Sequence, residues 1–445
     1  MTGLDLRRYL EVLREGPPVR RQGRVVQVIG LSIEAVGLSL PVGEICHIYS
    51  PPAGNRVTAE VVGFREHGGE SRLVLMPFGE MQGIRPGSII VPGHRLFTVP
   101  VGEGLLGRVV DGFCRPIDGL GPLEVSDQTY LLQSPPEPLK RARITEPLVT
   151  GIRAIDGLLT CGRGQRVGIF AGSGVGKSTL LGMVARHTAS DVSVVALIGE
   201  RGREVQDFIE GDLGPEGLRR SVVVVSTSDQ PALMRLKAAW VATAIAEYFR
   251  DRGAHVTLLM DSVTRLAMAQ REVGLAAGEP PTVKGYPPSV FGLLPKLLER
   301  AGTGPRGSIT GFYTVLTEGD DPLDPIADTV RSILDGHIQL SRRLATENHY
   351  PAIDILESIS RVMPGVVDPA HLGLANRLRQ VMAAYRAAED LINIGAYVRG
   401  TNPEVDLAID LMPAIREFLR QAPDERTPFE ETLARLAGIV GGARP

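Results

Sequence analysis

Cysteine is scarce: the 445 residues include only Cys46, Cys114 and Cys161. Their odd number and wide spacing exclude a disulfide framework and a paired metal-ligand pattern, and they fit a reducing, cytoplasmic setting. Nowhere do about 18 consecutive apolar residues occur, as a membrane span would need. Met1 to Gly16 scatters Asp5, Arg7, Arg8, Glu11, Arg14 and Glu15 among its leucines, so no cleaved signal segment is expected either. Charge of one sign is also missing. With 48 basic residues against 51 acidic ones the net charge is -3, so no global positive field holds nucleic acid or an anionic membrane.

What remains is an ordinary globular composition, 43% hydrophobic and 22% charged, over a length that predicts roughly three domains. Leu6, Tyr9, Leu10 and Leu13 recur at helical spacing, which predicts an amphipathic helix within residues 1–20. Its stripe suits its own domain, a docking partner or a peripheral membrane contact. Residues 21–95 hold short β-rich runs, Arg24 to Ile29, Glu44 to Tyr49, Val57 to Phe64 and Leu73 to Met76, separated by Gly and Pro turns, the pattern of a small β-barrel. A connector with Asp111-Gly112 and Asp118-Gly119 turns leads into a third pattern. There, Arg166 to Phe170, Val192 to Ile198, Val222 to Val225, Val256 to Met260 and Ile309 to Leu316 alternate with helical stretches. Unbroken apolar strands followed by helices predict a mostly parallel α/β sheet within residues 96–362. Residues 363–445 turn helical, with Leu372 to Ala388 and Val405 to Leu419 as the main elements.

The segment Ala171-Gly172-Ser173-Gly174-Val175-Gly176-Lys177-Ser178 follows a predicted strand and opens a helical run beginning at Thr179, the context a phosphate-binding loop requires. Small residues let backbone N–H groups wrap phosphates at a helix start, Lys177 neutralises the β and γ oxygens, and Ser178 offers a hydroxyl to Mg2+. Ala171 stands where the general pattern has Gly. Asp261 ends an apolar strand, at the carboxyl edge where such sheets bind ligands, and so is placed as a metal ligand; alone it would suit a helix cap equally well. Gly199-Glu200-Arg201-Gly202-Arg203-Glu204 ends another strand on the same edge. Glu200 is the candidate for orienting the attacking water, against the alternative of a solvated charge cluster.

These stretches, together with Cys161 to Arg166, Leu258 to Gln270, Gly278 to Pro281 and Gly285 to Phe291, resemble the rotary and secretion ATPases related to the catalytic subunit of F-type ATP synthase, and within them the type III export branch. The resemblance runs from about Val101 to Met363. It implies a multidomain α/β fold with an N-terminal β-barrel, a central RecA-like P-loop domain and a C-terminal helical domain, hydrolysing Mg-ATP as a homohexamer to promote protein export. It marks Glu200 as the catalytic carboxylate, where non-catalytic relatives carry Gln, and Arg361 as an arginine finger lent to the neighbouring subunit. It also implies that Tyr350 stacks on adenine, that Arg201 and Arg265 lie near the γ-phosphate, and that the acidic loop Gly319 to Asp324 faces a central stalk. The implied partners are a stator or regulator, the stalk, the export gate, and export substrates or chaperones at the inner membrane.

Ala171 to Gly176 and Gly182 to Arg186 favour the flagellar system over a virulence-type one. A hexameric RNA translocase would need aromatic residues among basic ones in the barrel, but Tyr49, Phe64 and Phe78 have no such stripe around them. Glu200 opposes a non-catalytic structural subunit.

Overall fold

The computed structural model describes residues 21–50, 55–93, 96–317 and 324–441. The helix expected within residues 1–20 and nearly all of the acidic loop from Gly319 lie outside the described residues.

The chain forms two compact units. In the first, six strands close into a barrel: β1 (Gly23–Ile29), β2 (Ser32–Val36), β3 (Ile45–Ser50), β4 (Asn55–His67), β5 (Glu70–Pro77) and β6 (Ile89–Pro92), hydrogen-bonded in the order β1-β2-β5-β4-β3-β6. Alternate residues such as Val25, Ile33, Ile48, Leu75 and Ile90 fill its interior. Two strands escape the sequence pattern. In β2 the charged Glu34 breaks the apolar run, yet it is buried because Arg65 and Arg72 reach it at 2.6 and 3.1 Å. The other, β6, spans only four residues.

The second unit is built on a twisted, mostly parallel sheet. Its strands are β7 (Val109–Asp111), β8 (Arg166–Ala171), β9 (Val192–Ile198), β10 (Ser221–Ser226), β11 (His255–Asp261), β12 (Ser308–Leu316), β13 (Gly336–Leu340) and β14 (Ile353–Ser360), in the order β14-β13-β8-β12-β11-β9-β10-β7. All of β9 and β10 is buried, as expected of strands covered on both faces. The connector also contributes to the sheet: Val109–Asp111 pairs in parallel with Val223 to Val225 and forms one edge of it. Three valine-rich residues bounded by turns are too short a run to read as a strand.

Helices α1 (Pro369–Asn393), α2 (Pro403–Leu419) and α3 (Phe429–Val440) follow the sheet. Their Leu378, Met412, Ile415 and Leu436 share one apolar cluster with Ile155, Leu180 and Ile338 of the sheet region, so the helical tail packs on the nucleotide-binding core directly. Among the described residues no helix is long and apolar enough to cross a membrane.

One buried ion pair braces this unit. Arg300 has no exposed surface; its Nε donates to Glu247 at 2.9 Å, a second guanidinium nitrogen also meets that carboxylate, and Nη1 donates to the Leu131 carbonyl at 2.8 Å. Removing one partner of such a pair leaves an uncompensated charge. Glu247→Ala should therefore cost about 3–5 kcal/mol in denaturant unfolding, while the double change Glu247→Leu with Arg300→Met recovers most of the loss. A single variant as stable as the wild type would show that the pair is not what holds this region.

Candidate nucleotide site

Parallel register brings the candidate residues together. Ala171, the last residue of β8, lies beside Leu316 of β12, and Leu197 of β9 lies beside Asp261 of β11. The loop after β8, the Glu200 segment after β9 and the end of β11 therefore emerge along one carboxyl edge. Between β8 and β11 runs β12, whose Thr314 hydroxyl donates to Asp261 Oδ1 at 2.7 Å and fixes that carboxylate.

The phosphate loop turns into the helix Lys177–His187 through Gly176, whose φ of 85° suits glycine. A Cβ there would also lie 3.2 Å from the Tyr350 ring, so the aromatic side chain rests directly over the loop. Gly172, Ser173, Gly174, Ser178 and Thr179 line an open cavity of about 1240 Å³. Ala171 and Val175 turn their side chains into the core instead and offer the site only backbone.

At the centre sits Lys177. Its ammonium donates to Asp261 Oδ1 at 2.5 Å and to Glu200 Oε1 at 3.3 Å. Burial pulls its pKa down, but the charges of Asp261 and Glu200 outweigh that and hold it above the ordinary value. For Glu200, burial and the neighbouring Asp261 charge overcome the pull of Lys177 and push the carboxyl up to about 7. Glu204, one helical turn on, shares a hydrogen bond with Glu200, and that bond holds its own pKa below the ordinary range.

Arg201, Arg265 and Tyr350 all line the cavity. Arg265 is pressed against the backbone before Glu200, since a Cβ on Gly199 would lie 2.9 Å from the Arg265 stem. Its Nε is buried without a hydrogen-bond partner. Arg361 is placed elsewhere: it follows β14, is exposed, and does not line the cavity of its own chain. Asp261 touches the site through Lys177.

Several lining residues escaped the sequence reading, among them Arg271, Lys284, Gln421 and Pro423. The last two sit more than two hundred residues from the phosphate loop, with no motif to announce them. The structure shows why they arrive there: Gln421 N donates to the Tyr350 carbonyl at 2.9 Å, and Gln421 Nε2 to the Gly151 carbonyl at 2.7 Å. Arg186, in the last turn of the phosphate-loop helix, donates to the Pro423 carbonyl at 2.7 Å, and His187 bonds the same oxygen at 3.2 Å. The tail is thus tied both to Tyr350 at the cavity wall and to the last turn of the phosphate-loop helix.

A raised carboxyl pKa has a consequence for stability. Below the ordinary value of 4.5 Glu200 is neutral in the folded and unfolded chain alike; between 4.5 and about 7 only the unfolded chain ionises, and the advantage of the neutral buried form is lost as pH rises through 7. Glu200→Gln, which keeps the neutral shape, should raise the thermal midpoint measured without nucleotide near pH 8, by about 1–3 kcal/mol in stability, with most of that gain gone near pH 5. Equal midpoints for variant and wild type at both pH values would contradict the shift.

Residues 151–360 match the ATP synthase alpha/beta family, nucleotide-binding domain, and residues 367–438 match the T3SS EscN ATPase C-terminal domain. The flagellum-specific ATP synthase of Bacillus subtilis is 55% identical over 424 residues, covering 95% of this chain and 96% of that protein. The type 3 secretion system ATPase of Xanthomonas euvesicatoria is 51% identical over 98% of both chains. Among solved structures, the assembled ATPase EscN from the type III secretion system of enteropathogenic E. coli superposes with a TM-score of 0.89 at 48% identity, over 94% of this chain and 100% of that one. EscN in complex with its central stalk EscO gives 0.86 at 47% identity, with the same coverage. The chain therefore belongs to the ATP synthase alpha/beta family, in the branch that holds the flagellum-specific and type 3 secretion ATPases, and it is an ATPase.

Proposed function

We propose that this ATPase works in flagellar protein export, as a ring whose subunits complete one another's sites. The observation that carries the site assignment is the meeting of Lys177, Glu200 and Asp261 on one sheet edge. A triphosphate arriving on the loop exchanges the carboxylate partners of Lys177 for β and γ oxygens. That exchange frees Glu200 from its ion pair, and beside a charged phosphate its carboxylate orients the attacking water.

The donor set suits Mg2+, a hard cation that keeps several waters and takes phosphate oxygens plus one or two protein oxygens. Ser178 would supply a hydroxyl and Asp261 a carboxylate. Among the described residues no group of three His, Cys, Asp or Glu side chains could hold a metal alone, in keeping with a cation shared with the nucleotide. When bound, Mg2+ neutralises phosphate charge. Tyr350, with Gln421 and Pro423 nearby, forms an apolar and amide wall suited to adenine.

Arg361 is exposed and absent from its own cavity, which supports a role across a subunit boundary. A homohexamer would bring it to the neighbour's γ-phosphate. The assembled EscN relative, and its complex with a central stalk, support carrying assembly and a stalk partner over to this chain. The flagellar assignment rests on Ala171 to Gly176 and Gly182 to Arg186; genes for rod, hook or basal-body parts beside its own would support it, and injectisome genes there would reverse it.

Glu200→Gln should bind Mg-ATP as the wild type does while turnover falls by about 10²–10⁴, the usual range for loss of a general base. Ordinary turnover in that variant would remove Glu200 from its role. Arg361→Ala should lower turnover by about 10³–10⁵ with nucleotide binding intact. Wild-type specific activity should climb as protein concentration passes through assembly; activity that stays flat through assembly would end the shared-site reading.

A further inference from the structure

The link between α2 and α3, residues 420–428, carries Gln421 and Pro423 to the cavity with no helix or strand to hold it there. An irregular segment keeps a fixed place only where other groups bond its backbone. Many of those bonds converge on Arg153, a buried arginine that lies outside the cavity lining.

Arg153 Nε donates to the Phe418 carbonyl at 2.8 Å and Nη1 to the Thr427 hydroxyl at 2.9 Å, while the guanidinium also meets the Arg420 carbonyl and the Glu425 carboxylate. Both ends of the link are therefore clamped. Arg153 N donates to Gln421 Oε1 at 2.9 Å, and Gln421 Nε2 donates onward to the Glu425 carbonyl at 2.8 Å as well as to Gly151. Through its own backbone N, Gln421 passes the constraint to the Tyr350 carbonyl.

The footing of this clamp is itself fixed. The buried Asp156 carboxylate accepts from Thr150 N at 2.8 Å, from the Thr150 hydroxyl at 2.7 Å and from Gly151 N at 2.8 Å, which pins the turn leading into Arg153. Gly151 takes a left-handed φ of 74°, and a Cβ there would lie 2.9 Å from the Arg426 stem, so the link packs against bare backbone. Thr427 N closes the contact with a bond to the Gly151 carbonyl at 3.1 Å.

We propose that Arg153 is a positioning residue for the nucleoside end of the substrate: by clamping the link it sets Tyr350, Gln421 and Pro423 where the base is received. This rests on the reading of the cavity as a nucleotide site with Tyr350 at its base end. The planar fork of an arginine reaches carbonyls, a hydroxyl and a carboxylate at once, which a lysine ammonium on a flexible stem does not. The phosphate loop has its own supports, β8 pairing with β12 and the Lys177 ion pairs, so losing the fork loosens one end of the cavity only.

The test uses the full-length chain with Mg2+, a fluorescent ADP, and inorganic tripolyphosphate, which offers phosphates without a base and is read by competition. Arg153→Lys should weaken ADP binding and raise KM for ATP about tenfold, the scale of one base–aromatic stack, with tripolyphosphate affinity and kcat unchanged. Thr427→Val, which removes a single acceptor of the fork, should shift ADP affinity the same way by about threefold, and it carries the test if Arg153→Lys does not fold. An equal loss of ADP and tripolyphosphate affinity, or an ADP affinity that neither variant changes, overturns the proposal and leaves the nucleotide site intact. Full ADP affinity in Tyr350→Ala would instead overturn the base-end reading, and a wild-type chain that binds no ADP would overturn the nucleotide reading itself.

Discussion

A half-buried ammonium held between two carboxylates is the constraint around which the second unit is arranged. Lys177, Glu200 and Asp261 come from three segments, and each is costly to bury alone. Their mutual attraction makes the arrangement tolerable, and under the proposed function it is this pairing that phosphate oxygens would replace. Everything that fixes the three positions follows from this need: the parallel register, the Thr314 hydroxyl on Asp261, and the glycines that let the chain approach closely.

The second consequence of the same charge cluster is electrostatic. Burial and the neighbouring Asp261 charge push Glu200 up to about 7, while against burial the two carboxylates hold Lys177 above its ordinary value. A carboxyl poised near neutrality is well matched to moving a proton at physiological pH. Asp261 is fixed in place by the Thr314 hydroxyl and Lys177, both on the same carboxylate oxygen.

Much of this was legible in the sequence where a motif coincided with its context. The loop from Ala171 to Ser178 stood between an apolar run and a helical one, and Glu200 and Asp261 each ended a continuous apolar strand, so one sheet edge followed from parallel topology. The barrel and the helical tail were legible as patterns, while β2 and β7 were not, since a buried Glu34 and a three-residue strand leave no periodic trace. Nor could the sequence announce Gln421 and Pro423. Their place in the cavity depends on tertiary hydrogen bonds to Tyr350, Gly151 and Arg186, made by ordinary amides and carbonyls that no spacing rule marks.

The bonds from Arg186 and His187 to the Pro423 carbonyl give the tail a mechanical meaning. They sit at the far end of the same helix whose first residue is Lys177. The rod that presents Lys177 at its head thus carries, at its foot, the segment between α2 and α3, so that phosphate loop and helical tail share a single stiff member.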